Sequence, residues 1–289
     1  MIIGHSIIRS ASVTVATDGS GTPDILSPSR TLIDSRPDTA TRLQWMTGTV
    51  STSDAFYLRV ESLQGAITPG IVGIMNISLP VGTLITVSFR RSSDTPGTYP
   101  YQPSSYQPSG QRVVRGTRGE RTAWIVIEPG ASPIVGVQIE IHNDVNGSSP
   151  ITDGEIFTIG EVVIGAASEV CPSLGVAVVT EDPTSANIDP WSQPYVSIGT
   201  PRRRLQFALQ TAHEPTWRTE YAPLLAKMDR GQTCAYVLDY RDIDKNFSAD
   251  ILHANAMIGR ATTLAAMNNA ARNVYKSGTV VVVETPIPT

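Results

Sequence analysis

Cysteine is almost absent from this 289-residue chain: Cys171 and Cys234 are the only two, too few for a disulfide framework and without a nearby Cys/His set for zinc. Free thiols are expected. The four histidines, His5, His142, His213 and His253, show neither i, i+4 nor short metal-ligand spacing, so each reads as a surface or capping residue. No metal or cofactor is expected from them. Long apolar runs are also missing. The longest, such as 278–283, fall far short of the roughly 20 residues a bilayer crossing needs, so no membrane span is expected. The opening MIIGHSIIRSASVTVATDG lacks a basic leading region and is broken by His5, Ser6 and Arg9, so it does not read as a secretion signal. A protein made in, and soluble in, a cytoplasm is the expectation. Charge of one sign is lacking as well: 26 acidic residues against 22 basic give a net charge of -4, no field to hold nucleic acid or an anionic membrane. Finally, the sequence has no HExxH, no GxSxG, no P-loop and no GxGxxG after a strand, and the chain is therefore expected not to be an enzyme.

What is present is a foldable composition, 40% hydrophobic and 17% charged. From Ser12 to Gly165 short segments rich in Val, Ile, Thr and aromatics alternate with Gly/Pro/Ser/Asp turns. Strands are expected at 56–63, 71–79, 83–91, 123–128, 134–142 and 155–164. Between Val135 and Ile141 the residues Val135, Val137, Ile139 and Ile141 share one face, while Gln138 and Glu140 take the other. Six or more such strands favour a β-sandwich jelly roll.

Between Ser92 and Gln111 lies TPGTYPYQPSSYQPSGQ, whose prolines remove backbone donors that a ladder needs. It reads as a long loop, a candidate contact arm carrying Tyr99, Tyr101 and Tyr106. A second punctuated stretch, 166–190, is linker-like and holds a short strand at 176–180. The fold expected is therefore mainly β: a jelly roll over residues 1–165, then a smaller α+β domain over 166–289 with one main helix on a sheet. That helix spans 213–230, with Trp217, Tyr221, Leu224, Leu225 and Met228 on one side, Pro215 in its first turn and Gly231 at its end. Strands are expected at 202–211, 233–239 and 279–284, and a short helix at 262–271. The terminal strand, five β-favouring residues before Glu284, has the profile of one that adds to a sheet edge, its own or a neighbour's.

Three stretches carry a family resemblance: Leu32 to Trp45, a polar Asp/Thr-rich turn followed by a Trp; Thr83 to Phe89, a central strand; and Phe157 to Gly165, with its Ile-Gly-Glu run. On these the first half resembles the galactose-binding-like (discoidin-type) jelly roll of bacteriophage tail proteins. The pieces 182–197, 202–210, 214–228 and 235–242 are similar to the domain that follows it in tail-tip, baseplate or minor tail subunits. The resemblance implies a non-enzymatic structural component of the virion tail, made in a bacterial host's cytoplasm and assembled with other tail proteins as a homo-oligomer or ring. It also implies a buried Trp45 and makes Asp34 and Asp38 the candidate calcium ligands of an early loop. The alternative it leaves open is carbohydrate binding, recognition of a host surface glycan, for which Tyr99, Tyr101, Tyr106 and Trp191 offer stacking surfaces. Two basic features complete the candidates: Arg202, Arg203 and Arg204 in a row, and the spaced Arg112, Arg115, Arg118 and Arg121. On a strand such arginines face solvent or pair with carboxylates across a subunit interface.

Overall fold

The computed structural model describes the chain through Thr285 apart from residues 10, 18–21, 28, 35–38, 47–50, 62–64, 108–109, 116–118, 174–175, 182–184, 189–193, 198–201, 230–231, 240, 242–243, 245, 247, 249–250, 253–254 and 264–266. The protein is mainly β, its strands gathered in several antiparallel sheets, and the longest helical segment among the described residues, 214–229, lies beside them. β-branched residues with period-2 alternation dominate, and that pattern satisfies a pleated surface packed on one face.

One sheet has five strands in the order Ser12–Thr17, Ala55–Glu61, Gly136–Val145, Thr83–Arg90 and Gln111–Arg112. A second has ten. Its order is Ala177–Glu181, Arg202–Phe207, Val280–Glu284, Ala256–Thr263, Thr233–Val237, Ile2–His5, Glu161–Glu169, Ile71–Met75, Arg121–Val126 and Val114–Arg115. Phe56, Leu58, Val60, Val137, Ile139 and Ile141 from the first sheet form one buried cluster with Val72, Ile74, Ile125, Val162 and Ile164 from the second, so the two sheets face each other. Trp45 sits in this cluster fully buried, its ring 5.9 Å from Phe56. The alternation expected in 135–141 is observed, with Val137, Ile139 and Ile141 inward.

The strand Ile2–His5 makes the long sheet continuous. On one side it pairs with Glu161–Glu169 and on the other with Thr233–Val237, elements from the two halves of the sequence. Residue 166, expected to open the second unit, lies within the strand Glu161–Glu169. One face of the long sheet carries the sandwich core and, further along, the helix; Trp217, Tyr221, Leu224 and Met228 pack there on Ile3, Leu205, Phe207, Tyr236 and Val282. The opposite face holds Ile2, Ile71, Met75, Trp124, Val163, Val237 and Ile258 in one cluster that spans both halves. Gly73 permits this face to pack tightly, since an added Cβ would lie 2.5 Å from the ring of Trp124 on the neighbouring strand.

Other expectations change. The helix is continuous but contains a π-helical turn, Trp217–Tyr221, between a first turn at Glu214–Thr216 and the α-helix Ala222–Asp229. The described residues of 262–271 are not helical: they belong to the strands Ala256–Thr263 and Met267–Ala271, because pairing to neighbouring strands overrides an Ala-rich local preference. The stretch 155–164 divides at Gly160 into Ile156–Ile159, which joins a small sheet with Thr41–Gln44, and Glu161–Glu169 in the long sheet. The terminal strand Val280–Glu284 is internal, hydrogen-bonded between Arg202–Phe207 and Ala256–Thr263, so it adds to its own sheet. Its unbroken valine run suits a strand buried on both faces.

Candidate contact surfaces

The described residues of the proline- and tyrosine-rich segment 92–111 form a strap that crosses the edge of the sandwich. Tyr101 exchanges backbone hydrogen bonds with Phe89 of the five-stranded sheet, at 2.8 and 3.1 Å. Five residues on, the Tyr106 amide donates to the Val126 carbonyl of the ten-stranded sheet at 3.1 Å, and the Glu128 amide donates to Ser104 at 2.9 Å. Gln107 reinforces this end by donating to the Trp124 carbonyl and accepting from the Val126 amide, both at 3.1 Å. Proline breaks regular pairing along the strap, and isolated bridges replace it.

The three tyrosines consequently go to three places. Tyr99 lies on the outer face of the five-stranded sheet and donates its phenol proton to Glu61 at 2.5 Å, while the Arg59 guanidinium sits 5.5 Å from its ring and 5.8 Å from that of Tyr57. Burial, then the Glu61 carboxylate, push this phenol well above its ordinary range. Tyr101 packs on the sandwich core, accepts from the Ser132 amide at 2.7 Å, and carries Arg91 over its ring at 4.9 Å. Tyr106 lies against the cluster on the far face of the long sheet. They form no common stacking platform. Trp191 and Asp38 lie outside the described residues, as does Arg118.

From Arg59 a polar ladder continues over the same outer face. Arg59 donates to Gln138 at 2.8 Å, Gln138 to Glu140 at 3.0 Å, and Glu140 also accepts from Ser88 at 2.9 Å and Thr86 at 3.2 Å. Thr86 lies 2.9 Å from His142 Nε2. Opposed cross-strand polar pairs of this kind fix register. The sequence hinted at this face only through the alternation of Gln138 and Glu140.

The arginine row alternates in and out, as strand geometry requires. Arg203 turns inward onto Glu284, and Arg202 and Arg204 turn outward to Glu181, at 3.7 and 3.0 Å. All three pair within the chain. Arg112 meets Asp144 at 3.1 Å and Arg121 donates to the carbonyls of Ser78 and Leu79, whereas Arg115 is exposed. Asp34 accepts from the Thr39 hydroxyl at 3.3 Å, and among the described residues no group of three His, Cys, Asp or Glu is placed to hold a metal ion. No described helix is long and apolar enough to cross a membrane.

The least covered apolar surface is at one end of the long sheet. Of six exposed large hydrophobic side chains among the described residues, three are Val176, Val178 and Val179, on or beside the strand Ala177–Glu181. Among the described residues this strand pairs only with Arg202–Phe207, and nothing described pairs with its other edge. Valines stand on both faces of it, it has no lysine or proline, and Glu181 at its end is the one charge within it. No family model matches the sequence, and no curated protein matches it either.

Proposed function

We propose that the chain is a non-enzymatic structural subunit of a bacteriophage virion tail, its first half a galactose-binding-like jelly roll, and that it joins other tail proteins by strand addition at Ala177–Glu181. The observation that carries the assembly role is that edge: a valine-rich strand ends a ten-stranded sheet with nothing paired beyond it among the described residues. An incoming strand there would satisfy the open backbone groups and remove exposed valine from water, the two terms that drive β-strand addition. Rings and tubes close such edges by symmetry. The buried Trp45 and the facing sheets support the jelly-roll reading.

Co-expression with the products of the flanking genes tests it. Affinity-tagged protein is expected to recover at least one of them, and Val178→Lys together with Val179→Lys is expected to lose that partner while the folded protein persists. Recovery of the same partner by the doubly substituted protein would remove the edge from the account; an absence of any tail protein among the partners would remove the tail.

A further inference from the structure

A small cavity of about 230 Å³ opens on the far face of the long sheet, opposite the sandwich core. Its floor is apolar, made by Ile2, Gly70, Val126 and Ala167; the strap's Tyr106 stands at one side, and Glu128 and Glu169 are also in its lining. Ile2 and Glu169 are register partners on adjacent strands, so the backbone of Glu169 is held beside the floor. Gly70 and Ala167 keep the floor low, since a Cβ on Gly70 would lie 2.4 Å from that of Ala167. Neither carboxylate has an ion-pair partner or side-chain hydrogen bond among the described residues.

We infer that this cavity receives an arginine side chain from a neighbouring protein. Its volume decides the scale: small-molecule sites usually enclose about 300–1,000 Å³, so this one suits a single side chain. Its lining decides the chemistry. An aliphatic stem lies on Ile2 and Ala167, a cationic head reaches the two glutamates, and an aromatic ring beside it favours a planar guanidinium. A neutral or acidic side chain would gain the apolar contact and leave two carboxylates uncompensated. The site deepens the assembly reading, yet the strands that line it lie several strands along the sheet from the edge strand Ala177–Glu181, so the two can fail separately.

The probe is N-acetyl-arginine methylamide, with the neutral isostere N-acetyl-citrulline methylamide beside it, titrated into the full chain and followed by NMR at the Tyr106 ring and the Ala167 methyl. The arginine probe is expected to shift both signals and to bind at least tenfold more tightly than citrulline. Glu128→Gln with Glu169→Gln, both on the surface, is expected to erase that preference. Equal binding of the two probes, or no shift of either signal at tens of millimolar, overturns the inference, as does a preference that survives the double substitution. The edge variants Val178→Lys and Val179→Lys are expected to bind the probe normally, and this separates the cavity from the strand-addition site.

Discussion

Arg203 and Glu284 form an ion pair sealed inside the second half of the long sheet, 2.7 Å apart, with side chains 8% and 0% exposed. Glu284 also accepts from the Arg203 amide at 2.8 Å, and the guanidinium reaches the Ala256 carbonyl at 2.8 Å, so three neighbouring strands meet at this pair. Breaking a buried pair leaves one charge without compensation, which costs about 3–5 kcal/mol. Glu284→Ala should therefore lower the urea midpoint sharply. Glu181→Ala removes pairs whose side chains are 31–41% exposed and should cost under about 1 kcal/mol. Similar losses for the two variants would mean that Glu284 is not buried as described.

The far face of the sheet offers a second test. Gly73→Ala drives a methyl group into the Trp124 ring, and such overpacking costs about 1–3 kcal/mol. Near-ultraviolet circular dichroism and thermal unfolding together report it. An unchanged tryptophan signal at unchanged stability would show that the close approach is absent.

At the strap, Tyr99→Phe deletes the hydrogen bond to Glu61 and leaves the ring beside Arg59. A loss of about 1 kcal/mol is expected for this half-buried bond. Cleavage within 92–111 by a protease at limiting concentration should accelerate, because the strap is tied at Tyr99, Tyr101 and Tyr106. Cleavage at the wild-type rate would show that the phenol does not restrain it.

Acid sensitivity is expected from His5. Burial and, secondarily, Lys227 lower its pKa from 6.5 to about 4. Between those values the unfolded chain takes up a proton that the folded chain refuses, so stability present above about pH 6.5 declines as pH falls toward 4 and then levels. The full loss is on the order of 3 kcal/mol. His5→Gln should flatten this part of the stability curve measured by urea unfolding from pH 7.5 to 4.5; an unchanged slope would assign the acid response to other groups.

Local signals in the sequence located much of this fold. Period-2 alternation marked Val137, Ile139 and Ile141 as inward, and the spacing of Trp217, Tyr221, Leu224 and Met228 marked the buried side of the helix. Partner choice was not local. Ile2–His5 pairs with strands more than 150 residues away on both sides, and nothing in its four residues specifies either. The arginine row shows the same limit: alternation makes Arg203 differ from its neighbours, but only the long-range pairing to Val280–Glu284 decides that it turns onto a buried carboxylate. The tyrosine segment read as a long loop and candidate contact arm because prolines erase ladder periodicity, while its isolated bridges to Phe89 and Ile127 leave no periodic trace.

Hydrogen–deuterium exchange on the isolated chain and on the chain within its recovered assembly tests the assembly role most directly. In the isolated chain the outward-facing amides of Ala177–Glu181 should exchange rapidly, those of Ile2–His5 slowly, since that strand is paired on both sides. On assembly, strong new protection is expected at 177–181 with little change at 2–5. Unchanged exchange at 177–181 in an intact assembly would contradict it.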